Sequence, residues 1–195
     1  MKVEIVKNTP ERVELVFEDI PYYIANIIRR YCISGVPVYA IDSVVFYQNN
    51  SSFFDEYIAH RIGMIPIKTP KGSPAESNVG FYLDATGPKK VYSQELKSTD
   101  KEIVVAVENI PIVKLAEGQS IRLEGKLKKG IGRNHMKFQS GIASYEIVDD
   151  KRINFFCESL YHMDAGDVVK RAIDEIIHDL DSLEKEIEKA TKKAK

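Results

Sequence analysis

His60 lies four residues after Glu56 and five after Asp55 in a segment, Asp55–Ile67, whose polar and apolar residues follow helical spacing. A carboxylate and an imidazole at i and i+4 share one helix face. Such a pair could move a proton, as general acid–base catalysis requires. A hydrolase would also need a nucleophile on a strained elbow and a Gly-rich oxyanion loop. Neither accompanies these residues, so the simple account is a Glu–His pair on an exposed helix. His135, His162 and His178 sit in three other segments, and His178 reads as a solvated residue of the last helix. No catalytic residue is assigned.

Metal chemistry is poorly supplied. The only cysteines are Cys32 and Cys157, with no CxxC pair. A structural zinc site needs four ligands and an iron–sulfur cluster usually needs four thiolates. Both cysteines therefore read as small buried apolar residues. Gly130-Ile131-Gly132-Arg133-Asn134-His135 resembles a phosphate-binding loop but has neither the GxGxxG spacing nor a Lys-Ser/Thr ending. Arg122, Lys126, Lys128, Lys129, Arg133 and Lys137 surround it. Two readings stay open: a charged turn between strands, or a contact to an acidic protein surface or nucleic acid.

The whole chain is not basic. Lys+Arg number 28 and Asp+Glu 29 among 195 residues, a net charge of −1. A protein whose main work is gripping phosphates carries a clear basic excess, so any such contact is local. The apolar share, 44%, supports a real core. No apolar run reaches the ~18 residues of a membrane span. Met1-Lys2-Val3-Glu4 alternates like a strand rather than a signal peptide, and the expected location is cytoplasmic.

The elements that would position these groups follow from periodicity. Val3 and Ile5, then Val13, Leu15 and Phe17, alternate around Asn8-Thr9-Pro10, which predicts a hairpin with one buried face. Asp19-Ile20-Pro21 opens a helix with Pro at its first position. Ile24, Ile27, Ile28, Tyr31 and Cys32 form its apolar stripe, and Asn26, Arg29 and Arg30 share a polar face beside it. Tyr39–Tyr47 reads as a strand. Ser52-Phe53-Phe54-Asp55 resembles a capping box, with Phe54, Ile58 and Ile62 one turn apart in the helix that follows. Lys68–Gly80 reads as an exposed loop. The middle of the chain is β-rich, with runs at 103–107, 110–115 and 120–127.

A strand at Ile153–Cys157 precedes a long helix capped by Asp164. Val169, Ala172, Ile176, Leu180, Leu183 and Ile187 step along it like a heptad seam. The sheet beneath counts three strands and at most one extra, too small to cover such a helix. The distal part is expected to pack on a helix of another subunit. The element order predicts one small α/β domain, residues 1–37 and 145–195, interrupted by a β-rich domain, residues 38–144.

Several motifs together resemble the D-subunit family of archaeal DNA-dependent RNA polymerase. This family is the counterpart of the bacterial alpha subunit's N-terminal domain and of the third-largest subunit of eukaryotic polymerase II. The motifs are Ala25-Asn26-Ile27-Ile28-Arg29-Arg30, Val36-Pro37 with Ala40-Ile41-Asp42, and the segment Asp55–Pro66. Val91-Tyr92-Ser93 with Leu96-Lys97, Ile110–Leu115, and Gly130-Ile131-Gly132 with His135–Phe138 follow in family order.

The resemblance implies an α+β fold: a two-layer ββα…βα dimerisation domain interrupted by an insert domain. It also implies a heterodimer with small subunit L, on which the large catalytic subunits assemble and small subunits N and P dock. Catalytic magnesium belongs to the largest subunit, so no active site is expected in this chain. Many archaeal relatives add a ferredoxin-like domain near the equivalent of Gln139-Ser140-Gly141, and eukaryotic relatives carry a zinc loop between the equivalents of Gly72 and Ser93. This chain has no cysteines there, so no iron–sulfur cluster and no zinc are expected. The partner-binding candidates are Ile24, Asn26, Ile27, Ile28, Arg29 and Arg30 on the first helix. Ile176, Leu180, Leu183 and Ile187 on the last helix join them, with Glu56, His60, Arg61, Arg133 and Lys137 in the insert. The alternative is an independent nucleic-acid-binding module using the Arg122–Lys137 patch.

Overall fold

A computed structural model describes residues 1–73 and 79–193. The centre of the expected Lys68–Gly80 loop, residues 74–78, and the last two residues lie outside the described residues. In chain order the elements are β1 (Lys2–Asn8), β2 (Arg12–Glu18), α1 (Tyr22–Ser34), β3 (Val38–Asn49) and α2 (Asp55–Gly63). There follow β4 (Gly80–Thr86), β5 (Lys89–Tyr92), β6 (Lys97–Ser98), β7 (Pro111–Leu115) and β8 (Ser120–Gly130). The chain then forms β9 (Gly141–Ile147), β10 (Arg152–Ser159) and α3 (Ala165–Lys193). The fold is mixed α and β with antiparallel sheets. Among the described residues no helix is long and apolar enough to cross a membrane.

The contacts group into two compact units. One comprises Met1–Val36, Ser140–Ser159 and the chain from Asp164 onward; the other comprises Pro37–Gln139 with Leu160–Met163.

In the first unit four antiparallel strands lie in the order β1-β2-β10-β9, within the expected three and at most one extra. Val13, Leu15 and Phe17 of β2 and Ile153, Phe155 and Cys157 of β10 alternate onto one face and are buried. Phe17 and Phe155 pack with ring centroids 5.4 Å apart. α1 covers β9 and β10, and α3 covers β10 and β2. Their buried residues are Ala25, Ile28 and Cys32 of α1, and Ala165, Val168, Val169 and Ala172 of α3. Gly141 permits this close packing: a Cβ there would sit 2.7 Å from the Glu158 carbonyl oxygen and 3.4 Å from Val168.

Three expectations change in this unit. Val3 and Ile5 belong to the edge strand β1 and stay 52% and 62% exposed instead of completing a buried face. Pro21 is the residue before α1, with extended φ and ψ, rather than its first helical residue. Asp19 lies outside the helix at φ 55°, and its N–H donates to the Lys151 carbonyl.

The second unit holds the sheet β3-β8-β4-β6 and the two-stranded ribbon β5-β7. Phe81, Leu83 and Ala85 of β4 face the same core as Ile121, Leu123 and Leu127 of β8, and Ile58 and Ile62 of α2 close it. Burying each such Leu, Ile or Phe contributes about 1.5–3 kcal/mol. Phe54 is 82% exposed rather than part of that stripe. It precedes α2 with no side-chain cap, so the capping box at Ser52 does not form. Asp55 is instead held by the Asn49 amide at 2.7 Å. The β-branched run Ile103–Val107 makes only a bridge, Ile67 to Val105. The neighbouring bonds, Lys68 N–H to Val104 and Ala106 N–H to Pro66, tie it to an irregular segment.

Candidate functional site

The sequence candidates fall on two surfaces, one in each unit. In the first unit α3 runs for 29 residues, about 43 Å at 1.5 Å per residue. Its first two turns supply the buried residues. Beyond them Ile176 is half-buried, while Leu180, Leu183 and Ile187 are 59%, 55% and 57% exposed. Ile173 and Ile177 are also exposed, at 39% and 52%. The heptad seam read from the sequence omits them, although their i, i+4 spacing beside Ile176 and Leu180 is a visible signal. The result is an apolar stripe on a helix whose net composition is strongly polar, with little of this chain packed on it.

On α1 the buried face is Ala25, Ile28 and Cys32, so Ile28 belongs to the core rather than to an outward surface. Ile24 and Ile27 are 38% and 39% exposed on the flank, and Tyr22 and Tyr23 are more exposed still. The Arg29 guanidinium donates twice to Asn26 Oδ1, at 3.0 and 3.2 Å. Arg30 is not among the buried residues of the helix. Tyr31 links α1 to α3 by donating to Asp179 at 2.6 Å. The Cys32 thiol is held well above its ordinary value by a hydrogen bond with Cys157 and by burial. A thiol held in its neutral form is a poor nucleophile, and both cysteines are fully buried, as core residues are.

In the second unit the expected Glu56–His60 pair does not form: among the described residues no hydrogen bond or ion pair joins the two side chains. His60 instead lines a cavity of about 190 Å³ with Asp42, Met64, His135 and Lys137. Lys137 is the least exposed of these four neighbours, its side chain 13% exposed, with Nζ 2.6 Å from Asp42 Oδ1. That lysine holds the Asp42 carboxyl below the usual carboxylate range. Lys137 is thus an internal strut. His135 Nδ1 accepts the Lys137 backbone N–H at 3.1 Å and fixes the turn into Met136–Phe138.

Arg61 is also committed within the fold. Its guanidinium donates to the Ile112 carbonyl at 2.9 Å and to the Pro111 carbonyl, fastening α2 to β7. Of the basic cluster, Arg122 lies 3.8 Å from Asp84 and Lys128 lies 3.9 Å from Asp42. Lys129 donates to the Ser73 carbonyl at 2.6 Å. Arg133 is exposed at the loop tip. The cations around Gly130 therefore mostly serve the chain's own acids and carbonyls.

His162, to which the sequence assigns no role, is 4% exposed. Its Nδ1 lies 2.9 Å from the Ile67 carbonyl, which requires the Nδ1–H tautomer. Burial lowers its pKa, and the Ile67 carbonyl partly opposes this. Thr69 N–H donates to the His162 carbonyl at 2.8 Å.

Among the described residues these geometries present an exposed apolar stripe on α3 and polar side chains held within the second unit. Residues 44–148 match the family model of the RNA polymerase Rpb3/RpoA insert domain. A DNA-directed RNA polymerase subunit Rpo3 of Methanocaldococcus jannaschii is 44% identical over 155 residues, covering 78% of each chain. The Rpo3 of Pyrococcus horikoshii is 39% identical over 153 residues, covering 75% of this chain and 59% of the relative. That of Archaeoglobus fulgidus is 35% identical over 171 residues, covering 80% and 64%. The chain spans less than two thirds of the latter two relatives. With more than half its length matched by the insert-domain model and relatives at this identity, the chain belongs to the alpha-like Rpo3 family, the archaeal D subunits of DNA-directed RNA polymerase.

Proposed function

We propose that this chain is a non-catalytic assembly subunit of RNA polymerase that pairs with small subunit L through its first unit. The pair would be the platform on which the large catalytic subunits assemble, with subunits N and P docking on the insert. The observation that carries this reading is the exposed stripe of Ile173, Ile177, Leu180, Leu183 and Ile187 on α3. Five large apolar side chains at heptad-like spacing are costly to leave in water. A second amphipathic helix can bury them with knobs-into-holes packing. The half-exposed Ile24 and Ile27 of α1 would extend that face.

The nucleic-acid alternative is weaker, because Arg122, Lys128, Lys129 and Lys137 already have acidic or carbonyl partners. The chain is read as cytoplasmic. It is also read as carrying no iron–sulfur cluster or zinc of its own, since two buried cysteines in mutual contact cannot supply four thiolates.

Co-expression with subunit L followed by native mass measurement tests the proposal. A one-to-one heterodimer is expected. A chain that remains a monodisperse monomer beside folded subunit L overturns it.

A further inference from the structure

The ribbon β5-β7 carries a feature that the fold itself does not need. Its register sets Lys90 directly opposite Lys114. Both side chains are exposed, and among the described residues neither has an acidic partner. Like charges directly opposite one another destabilise an antiparallel pair. Beside them runs an open groove of about 390 Å³. Phe53 and Tyr57 stack along one wall with centroids 5.2 Å apart and planes 16° apart. Arg61 lies 5.8 Å from the Tyr57 ring centroid, and Tyr92 is a further lining residue. Among the described residues no carboxylate lines the groove. It therefore combines an apolar, aromatic wall with the two lysines, which no carboxylate in the groove offsets, and with Arg61, whose guanidinium is held by the Pro111 and Ile112 carbonyls.

We propose that this groove takes an extended acidic segment of a partner polypeptide, with carboxylates on Lys90 and Lys114 and an apolar side chain against Phe53 and Tyr57. The inference rests on the assembly reading and names the chemistry of one docked segment. Carboxylates would relieve the Lys90–Lys114 repulsion, and their bonds to lysine would be charge-assisted. Single-stranded nucleic acid fits less well. It needs successive free ring faces for successive bases. Here Tyr57 is already stacked on Phe53 and approached by Arg61, which leaves Phe53 as the one platform of that wall.

The test uses reconstituted polymerase containing the full chain with a photo-crosslinking residue in place of Asn109, an exposed lining residue of the groove that the proposal gives no contact. The expected product is a crosslink to a segment of another subunit that is acidic and contains an apolar residue. A crosslink to nucleic acid, a crosslink to a basic or neutral segment, or no crosslink in polymerase shown by mass to contain the chain overturns the inference. If the chain enters no polymerase at all, the assembly reading fails with it, and the mass measurement distinguishes the two failures. The variant Lys90→Glu supplies a second readout. It creates an opposite-charge pair with Lys114, so the melting temperature should hold or rise. Retention of the acidic segment should nonetheless fall about tenfold or more. Unchanged retention in Lys90→Glu also overturns the inference, and Lys90→Arg should behave as the parent.

Discussion

Replacing Leu180 and Leu183 with aspartate should separate assembly from folding. The two leucines are 59% and 55% exposed in the chain alone. Full burial of a leucine is worth about 1.5–3 kcal/mol, so a partner helix covering the exposed remainder gains about 0.8–1.8 kcal/mol from each. Losing both removes about 1.7–3.5 kcal/mol of association energy. Burying two unpaired carboxylates in the same seam adds several kcal/mol more. Even the smaller figure is more than a tenfold loss in affinity, and the sum exceeds a thousandfold. The cost to the chain itself is small. Both positions lie beyond the buried turns of α3, and the change in helix propensity is about 0.5 kcal/mol per site. The double variant should therefore keep its helical circular dichroism and melting temperature and yet fail to co-purify with subunit L. Val169→Asp is the contrasting control. That residue is 6% exposed, so its substitution should unfold the first unit. Undiminished co-purification of the Leu180→Asp, Leu183→Asp double variant refutes the use of this seam.

Three further outcomes follow from the second unit. His162 has a folded pKa below its unfolded value near 6.5, so the unfolded state binds the extra proton. Its contribution to stability is complete above the unfolded pKa and falls as pH drops from there toward the folded pKa. The melting temperature should decline between about pH 7 and 5, and this decline should be shallower in His162→Asn. For the Asp42–Lys137 pair, a double-mutant cycle with Asp42→Asn and Lys137→Met, read by urea unfolding, should give a coupling of about 1 kcal/mol. That figure is kept modest because the Asp42 side chain is 38% exposed. Gly130→Ala would bring a Cβ to 2.8 Å from the buried Phe138 ring, so thermal unfolding should show a loss of about 1–3 kcal/mol.

Long periodic elements were legible from the residues. α1, α2, α3 and β3 all form where the apolar spacing puts them, because 3.6- and 2-residue periods survive any tertiary context. What spacing cannot show is which side of an element another element covers. Ile24 and Ile28 share one sequence stripe, yet only Ile28 is buried where α1 meets β9 and β10. Val3 and Ile5 alternate as well as Leu15 and Phe17 do, but they sit on an edge strand and stay exposed. Ile103–Val107 has strong β propensity, and its backbone bonds go to the irregular segment around Lys68 instead. The candidate site divides in the same way. Leu180, Leu183 and Ile187 point outward as a heptad seam suggests. Arg61 and Lys137 are instead tied down by carbonyls and a carboxylate that lie far from them in sequence.

The two kinds of surface place different demands on evolution of the chain. An apolar stripe such as that of α3 can be read from one helix, because its residues are neighbours in sequence and its meaning is burial. The Lys90–Lys114 pair cannot, because the two residues meet only through the register of β5 and β7. A cross-strand like-charge pair is a local cost that one substitution removes: Glu at either position would convert repulsion to attraction at no steric expense. Its presence beside an aromatic wall free of carboxylates among the described residues is thus better explained by something outside the chain than by the chain's own stability. The same reasoning runs the other way for Lys137 and Asp42, where charge is satisfied internally and a partner could gain little. Unsatisfied charge and uncovered apolar area, rather than charge or hydrophobicity as such, are the signals on which both proposed docking surfaces rest.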